Sequence, residues 1–301
     1  MANPKLTRSE TPPASPEKQA AVFAARREKF RKLHESGCFV IPNPWDAGTA
    51  RYLRHLGFKA LATTSGGFAF SQGLPDTDWA ASCDMVLSHI AAIAKAVEIP
   101  VNADFQSGYA QEPESVAANV RRCVETGVAG LSIEDATGRR EDPLYELPVA
   151  VERIQAARAA IDESGADVML TARAECYLVG HPNPLPEAIR RLQAYAEAGA
   201  DVLYAPGVRV AGEIQAIVSA VQPKPVNVLM SSNTGLKIAD LAAMGVRRVS
   251  VGSALARAAW TGFIRAAKTI ADGGSFEGLD GSVPFAELDD FFRKDWTERS
   301  S

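Results

Sequence analysis

Short apolar runs recur along the chain at residues 38–43, 60–65, 100–105, 130–135, 168–175, 202–207, 225–230 and 247–252, none with strict apolar–polar alternation. Strands of a parallel sheet covered on both faces read this way, because neither face meets water. Between the runs, residues 45–56, 79–97, 113–126, 148–163, 186–198, 212–221 and 235–244 carry apolar positions at helical spacing. Gly57, Gly127, Gly165, Gly199 and Gly245 follow several of these helices, where a helix end accepts a left-handed residue. Eight strand-and-helix units without a long interruption predict an α/β architecture, the closed (β/α)8 TIM barrel, in preference to an open doubly wound sheet.

The two ends read differently. Residues 1–14 are polar and proline-rich and are expected to be a disordered head. A helix is predicted over 15–37, with Ser15 as cap, Pro16 in the first turn, Phe23, Phe30 and Leu33 at roughly helical spacing, and Gly37 as stop. After the last unit come a helix at 253–272, the pair Gly273-Gly274, and a further helical piece at 285–295. Phe285, Leu288, Phe291, Phe292 and Trp296 make that tail too apolar for water, so it is expected to pack on a partner subunit. Residues 15–301 are thus read as a single barrel domain that includes C-terminal oligomerisation helices.

Composition narrows the partners. In 301 residues, 47% of them apolar, there is enough to bury a large core. A net charge of −4 with no polybasic run argues against a nucleic-acid or anionic-membrane partner. No apolar run is long enough to span a bilayer, and the N-terminus lacks the apolar core of a signal peptide, so a soluble, cytoplasmic protein is expected. Cys38, Cys83, Cys123 and Cys176 are widely spaced with no paired motif, so they read as reduced structural thiols rather than disulfides or a zinc site.

The candidate chemistry sits at strand ends. The run at 100–105 enters a polar, glycine-containing loop at Asp104; the run at 130–135 ends on Glu134 and Asp135; the run at 168–175 ends on Arg173 and Glu175. In a barrel the C-terminal strand ends converge on one face, and charges recurring there build an active site. Glu134 and Arg173 interrupt apolar strands, so each needs a partner. A mutual ion pair answers that need structurally, and a shared metal or anionic substrate answers it functionally. Glu175 has the parity of Arg173 and is read as orienting it. Thr63-Thr64-Ser65-Gly66-Gly67 offers hydroxyls and N–H groups to a carboxylate or phosphoryl group, or is a plain tight turn. Asp76 is a further candidate acid, with a helix N-cap shared with Thr77 and Asp78 as the alternative. His181 lies in the loop after the fifth strand on the presumed active face, with a solvated loop histidine as the alternative reading. His34, His55 and His89 fall on helices and read as packing or outer-surface residues, and Cys176 reads as an inert thiol.

Taken together, Ile41-Pro42-Asn43, Ser65-Gly66-Gly67, Asp76 within Gly-Leu-Pro-Asp, the Ala103-Asp104 to Gly108-Tyr109 loop, Ile133-Glu134-Asp135 and Thr171-Ala172-Arg173-Ala174-Glu175 carry a resemblance. The chain resembles the isocitrate lyase/phosphoenolpyruvate mutase superfamily from about Phe30 to Phe292. The resemblance implies a Mg2+-dependent (or Mn2+-dependent) site for an α-oxo or 2-hydroxy carboxylate. It further implies a pyruvate-type enolate formed as a C–C or P–C bond breaks, and a homotetramer, a dimer of dimers, with the last barrel helix exchanged between paired subunits. By the same resemblance, Thr64, Ser65, Gly66 and Gly67 surround the substrate, Ser65 and Gly66 through backbone N–H groups, and Arg173 pairs with its carboxylate. Asp76, Asp104, Glu134 and the residue at position 102 surround the metal, and Asp76, Asp104 and Arg173 form the catalytic set.

Two departures shape the expected activity. The family's metal loop usually reads Asp-Ala-Asp, and here Asn102 stands first. Relatives that cleave isocitrates carry Lys-Lys-Cys-Gly-His after the fourth strand; here residues 136–145 contain neither cysteine nor histidine, and the family histidine after the sixth strand is absent from Tyr204-Ala205-Pro206-Gly207. Decarboxylation of an oxaloacetate-like acid asks least of the missing groups, with Arg139 or Arg140 expected to hold the distal carboxylate. A P–C hydrolase or mutase, or a carboxylate-binding barrel without turnover, are the alternatives.

Overall fold

The computed structural model describes residues 15–77 and 79–300; the head at 1–14, Ser301 and the Asp78 of the proposed shared cap lie outside the described residues. Val22–Arg257 is one compact unit, and the described residues of Met1–Ala21 and Ala258–Ser301 make another. In chain order the elements are α1 (Pro16–Glu35), β1 (Phe39–Ile41), α2 (Ala47–His55), β2 (Leu61–Ala62), α3 (Ser65–Ser71), α4 (Cys83–Ala96), β3 (Val101–Asp104), α5 (Pro113–Glu125) and β4 (Gly130–Glu134). There follow α6 (Leu147–Glu163), β5 (Met169–Arg173), α7 (Pro184–Glu197), β6 (Val202–Tyr204), α8 (Ala211–Ala220), β7 (Val226–Leu229), α9 (Ile238–Ala243), β8 (Arg248–Ser250), α10 (Ala254–Gly273) and α11 (Phe285–Ser300).

All eight strands are parallel neighbours in the order β1-β8-β7-β6-β5-β4-β3-β2, so the expected (β/α)8 barrel is what forms. Its seam between β1 and β2 is closed outside the ladder. The Ala62 N–H donates to the Pro42 carbonyl at 3.1 Å, and Asn43 Nδ2 donates to the Thr63 carbonyl at 2.9 Å. Asn43 Oδ1 in turn accepts the Val251 and Gly252 N–H groups at 3.0 and 2.9 Å, so one amide ties the exits of β1, β2 and β8 together.

Helix starts follow from local chemistry. Asp46 caps α2 by accepting the Thr49 N–H at 2.7 Å, while the Thr49 hydroxyl accepts the Asp46 N–H. Prolines occupy the first turns of α5, α6 and α7, where the missing N–H costs nothing. Ile90, Ile93, Val116, Val120, Ile154, Ile161, Leu192 and Ile217 bury the helix faces. Each such side chain contributes roughly 1.5–3 kcal/mol. Phe30 of α1 packs with Ile41, Ala60, Ala62, Ala129, Met169 and Val202, and so fills the N-terminal end of the barrel.

Two elements differ from the sequence reading. Of residues 63–67, read as a turn, Ser65, Gly66 and Gly67 open α3, and Thr64 caps it by accepting the Gly67 N–H at 3.2 Å. The helix expected from 79 starts instead at Cys83, because Ser82 is the cap, accepting the Met85 N–H at 3.3 Å, and Trp79 sits in a left-handed turn with φ 75°. In the unit containing Ala258–Ser301, Phe263, Phe276, Val283 and Phe285 are exposed, Phe285 by 85%. Among the described residues no helix is long and apolar enough to cross a membrane.

Candidate active site

β3, β4 and β5 deliver the charged residues. Within each strand every second side chain points into the barrel, so Asn102 and Asp104, Ser132 and Glu134, and Thr171 and Arg173 form stacked inward pairs. Arg173 is the hub. Its Nη1 lies 2.7 Å from Asp104 Oδ1, its Nη2 2.9 Å from Glu134 Oε2, and its Nε 2.9 Å from Glu175 Oε1. Burial works against the guanidinium charge, yet Glu134, Glu175 and Asp104 together raise its pKa well above the ordinary arginine value. Burial pushes the Glu175 carboxyl up to about 7, against the pull of Arg173. Glu175 is itself held by its backbone, whose N–H donates to Asp135 Oδ1 at 2.8 Å; Tyr195 and Arg191 complete that buried carboxylate's bonds.

The start of α3 forms a second wall. The Ser65 N–H donates to Asp104 Oδ2 at 2.9 Å, and the Asp104 N–H donates to the Thr63 hydroxyl at 2.8 Å. At Gly66 a Cβ would stand 2.6 Å from Asp76 Oδ2, so any larger residue would push that carboxylate back from the turn. The loop after β3 bends through left-handed Gln106 (φ 42°) and Tyr109 (φ 54°). It is clamped from outside by Asn119, which donates to the Gly108 and Tyr109 carbonyls, and by the buried Arg153, which donates to the Ser107 and Gln111 carbonyls.

Below the charged layer, Arg248 is the one charge among the described residues in a layer of amides and hydroxyls. Arg248 on β8, 3% exposed, donates from Nε to Asn227 Oδ1 at 2.9 Å and from Nη2 to the Thr171 hydroxyl at 3.0 Å. Tyr204 stands between the layers: its ring lies 5.3 Å from the Arg173 guanidinium, and its hydroxyl is 3.5 Å from the Ser250 hydroxyl. Burial raises the Tyr204 phenol to about 12 despite Arg173. Asn102 Nδ2 donates to the Ala103 carbonyl at 3.1 Å, whereas its buried Oδ1 has no hydrogen-bond partner among the described residues.

A cavity of about 180 Å³ opens between these walls, and Thr64, Ser65, Gly66, Asp76, Asn102, Asp104 and Arg173 line it. Gly67 is buried behind the wall, and Glu134 reaches the cavity only through Arg173. Arg139 is exposed on its loop, paired with Asp142 at 2.8 Å, and His181 accepts the Asn183 N–H at 3.2 Å; neither lines the cavity. Sequence reading passed over Tyr204, Asn227, Arg248 and Ser250, all of which line it. A signal existed for one of them, since Arg248 is a charge in an apolar strand with the parity of Ser250. Among the described residues no three of His, Cys, Asp and Glu come together as a group that could hold a metal ion. The arrangement can hold an anion at a guanidinium while hydroxyls and a carboxylate-rich wall face its other atoms.

The family model for phosphoenolpyruvate phosphomutase matches residues 30–271. A solved structure from Burkholderia cenocepacia, described as a candidate lyase/mutase, is 48% identical with a TM-score of 0.85, over 90% of this chain and 97% of that one. An uncharacterised Mycobacterium tuberculosis protein is 34% identical over 86% of this chain and 94% of its own length. Oxaloacetate decarboxylase of Pseudomonas putida is 31% identical over 76% and 78% of the two chains. With its barrel, its acid-ringed arginine and its matched length, the chain belongs to the isocitrate lyase/phosphoenolpyruvate mutase superfamily of enzymes.

Proposed function

We propose that this protein is a carbon–carbon lyase that decarboxylates a small α-oxo dicarboxylate of the oxaloacetate type. The observation that carries the reading is Arg173, fixed by three carboxylates beside the Ser65–Gly66 turn in a cavity sized for a small acid. Similarity to oxaloacetate decarboxylase supports the substrate class. In the reaction the bond from the β-carbon to its carboxylate breaks, carbon dioxide leaves, and the electron pair passes to the oxo oxygen as an enolate. Solvent then protonates the carbon, so the missing gate-loop cysteine is not needed.

Arg173 receives the substrate carboxylate in a two-pronged contact, exchanging one of its carboxylate partners for it. Glu175 keeps Nε and so fixes the plane of the guanidinium. Asp104, shared between Ser65 and Arg173, sets the spacing between turn and arginine. Among the described residues no three acids gather into a direct metal-holding group, so a divalent cation fits only as one held through water and the substrate's own oxygens. Asp104, Glu134, Asp76 and Asn102 offer only oxygen donors, the carboxylates outnumber the one guanidinium beside them, and Asn102 Oδ1 is buried without a partner. Those four residues would hold Mg2+ or Mn2+, largely through water, and the cation when bound withdraws charge from the enolate oxygen.

The test is a screen of α-oxo and 2-hydroxy acids for carbon dioxide, pyruvate or phosphoenolpyruvate formation, with added Mg2+. Release from oxaloacetate and none from phosphonopyruvate is expected. The match to the phosphomutase model favours the reverse as the second reading, cleavage or rearrangement of a P–C bond. Ligand binding with no product from any acid would mean a carboxylate-binding barrel instead.

The C-terminal helices are proposed to assemble the chain as a homotetramer, the last barrel helix exchanged between paired subunits. Trp260, Phe263, Ile264 and Phe285 are large apolar side chains exposed on them, which a partner subunit would cover. Deleting the residues after Gly274 is expected to give a protein of lower assembly mass that aggregates. A truncated protein that stays soluble at unchanged mass in sedimentation would defeat this assembly.

A further inference from the structure

Arg248 is a cation placed where the fold gives it no counter-charge. Its hydrogen-bond partners are an amide oxygen, a hydroxyl and, at 3.5 Å, the ring of His34. Burial and the neighbouring Arg248 charge hold His34 neutral, with its pKa lowered to about 3, so the imidazole adds no negative charge. Among the described residues no Asp or Glu forms an ion pair with Arg248, whereas the buried Arg191 pairs with Asp135 at 3.0 Å and the buried Arg153 has loop carbonyls to serve. Burial lowers the Arg248 pKa to about 10, which leaves it charged at neutral pH.

A buried charge without a partner costs several kcal/mol, and a neutral residue would satisfy Asn227 and Thr171 at less expense. Arg248 also lines the cavity, with donors beyond those used by Asn227 and Thr171. Its height in the barrel matters. It bonds Thr171, which precedes Arg173 by two residues on β5, so the two guanidinium layers are separated by about 6.6 Å of strand rise. Asn227, in register with Arg248, and Asn43 and Ser250 also line the cavity and add polar atoms but no charge.

We infer that Arg248 is a second anion-binding group of the pocket: it receives the second acidic group of the substrate, so the site selects short dianionic α-oxo acids over monoanionic ones. This rests on the reading of Arg173 as the receptor of the first carboxylate. It also accounts for a distal acid being held without Arg139, which pairs with Asp142 away from the cavity. The group held is a carboxylate or a phosphoryl, since either supplies the counter-charge. In an oxaloacetate-type acid that second group is the carboxylate that departs as neutral carbon dioxide, so Arg248 grips the substrate more than the transition state: it lowers KM without raising kcat and is a specificity residue rather than a catalytic one.

The experiment compares binding of pyruvate, 3,3-difluorooxaloacetate and phosphonopyruvate to the full-length protein by calorimetry with Mg2+ present. Wild type is expected to bind at least one dianion roughly tenfold or more tighter than pyruvate, the size of one hydrogen bond to a charged group. The tighter arm identifies the second group as carboxylate or phosphoryl. In Arg248→Gln that preference collapses towards parity while pyruvate affinity holds. A preference that survives in Arg248→Gln, or an equal loss of affinity for pyruvate and dianions alike, overturns the inference and makes Arg248 a brace. Should the glutamine variant not fold by circular dichroism, Arg248→Lys decides: a reduced preference supports the inference and an unchanged one overturns it. Wild type that binds pyruvate and dianions equally overturns this inference alone. Wild type that binds none of the three overturns both it and the reading of Arg173.

Discussion

Replacing Arg173 by methionine is expected to destabilise the protein by about 3–5 kcal/mol at neutral pH, the cost of removing one partner from a buried ionic cluster. The guanidinium holds Asp104, Glu134 and Glu175 at 2.7–2.9 Å, and without it three carboxylates crowd one another inside the barrel. They escape the penalty by taking up protons. The folded variant then binds more protons than its unfolded chain, so its stability falls as pH rises, and the deficit against wild type shrinks on acidification. Urea unfolding at pH 7 and pH 5 measures this. Arg173→Lys separates the two roles of the residue. Lysine keeps the charge but not the planar fork, so α-oxo acid binding is expected to weaken by about 1.5–3 kcal/mol with a smaller loss of stability. Unchanged affinity in the lysine variant, with a large loss of stability in the methionine variant, would make Arg173 a structural ion-pair partner only.

The wild-type cluster carries its own pH signature. Burial raises the Glu175 carboxyl from an ordinary 4.5 to about 7, so the folded chain holds that proton more tightly than the unfolded chain does. Its contribution to stability is therefore greatest below about 4.5 and declines as pH rises from there through about 7. Above that range an ionised Glu175 competes more strongly for Arg173, and the affinity of Arg173 for a substrate carboxylate falls.

The barrel was legible because strands buried on both faces leave continuous apolar runs, and because every helix between them keeps an apolar stripe. Arg173, Glu134 and Asp104 were legible for the converse reason: a charge in such a run must be answered by something. That rule applied equally to Arg248, but the adjacent pair Arg247-Arg248 opens its strand and reads as a polar entry, and only the fold shows that Arg248 is the buried one. Helix α3 was masked by Gly66 and Gly67, residues of poor helix propensity whose presence is dictated by Asp76 and Thr64 pressing against the turn. Its cap, Thr64, was the available clue. The loop clamps lay beyond reach altogether. Arg153 lies 46 residues after the Ser107 carbonyl it holds, and Arg191 lies 56 after Asp135, so only the folded topology brings each pair together.

Asp104→Ala is expected to lower turnover by about 10²–10³-fold, the scale of losing one group that stabilises developing oxyanion charge. Three arrangements fail together in that variant: the Ser65 N–H loses its acceptor, Arg173 loses its shortest ion pair, and a hard cation loses a carboxylate. Calorimetric titration with Mg2+ and Mn2+ separates the third from the others. Because Asn102 stands where relatives are expected to carry an acid, the site lacks one negative charge, and metal is expected to bind weakly alone and more tightly with an α-oxo acid present. Asn102→Asp restores the charge and is expected to tighten metal binding in the absence of substrate, while Asp104→Ala abolishes it. The variant at 102 gives up its donation to the Ala103 carbonyl, so its fold is checked by thermal unfolding before its affinity is read. The opposing account has Arg173 and the backbone N–H groups at Ser65–Gly67 carry the oxyanion with no metal, Ser65 and Gly67 giving up Asp104 and Thr64 as acceptors to do so. Activity undiminished by chelation, together with normal turnover of Asp104→Ala, would decide for that account and against the cation.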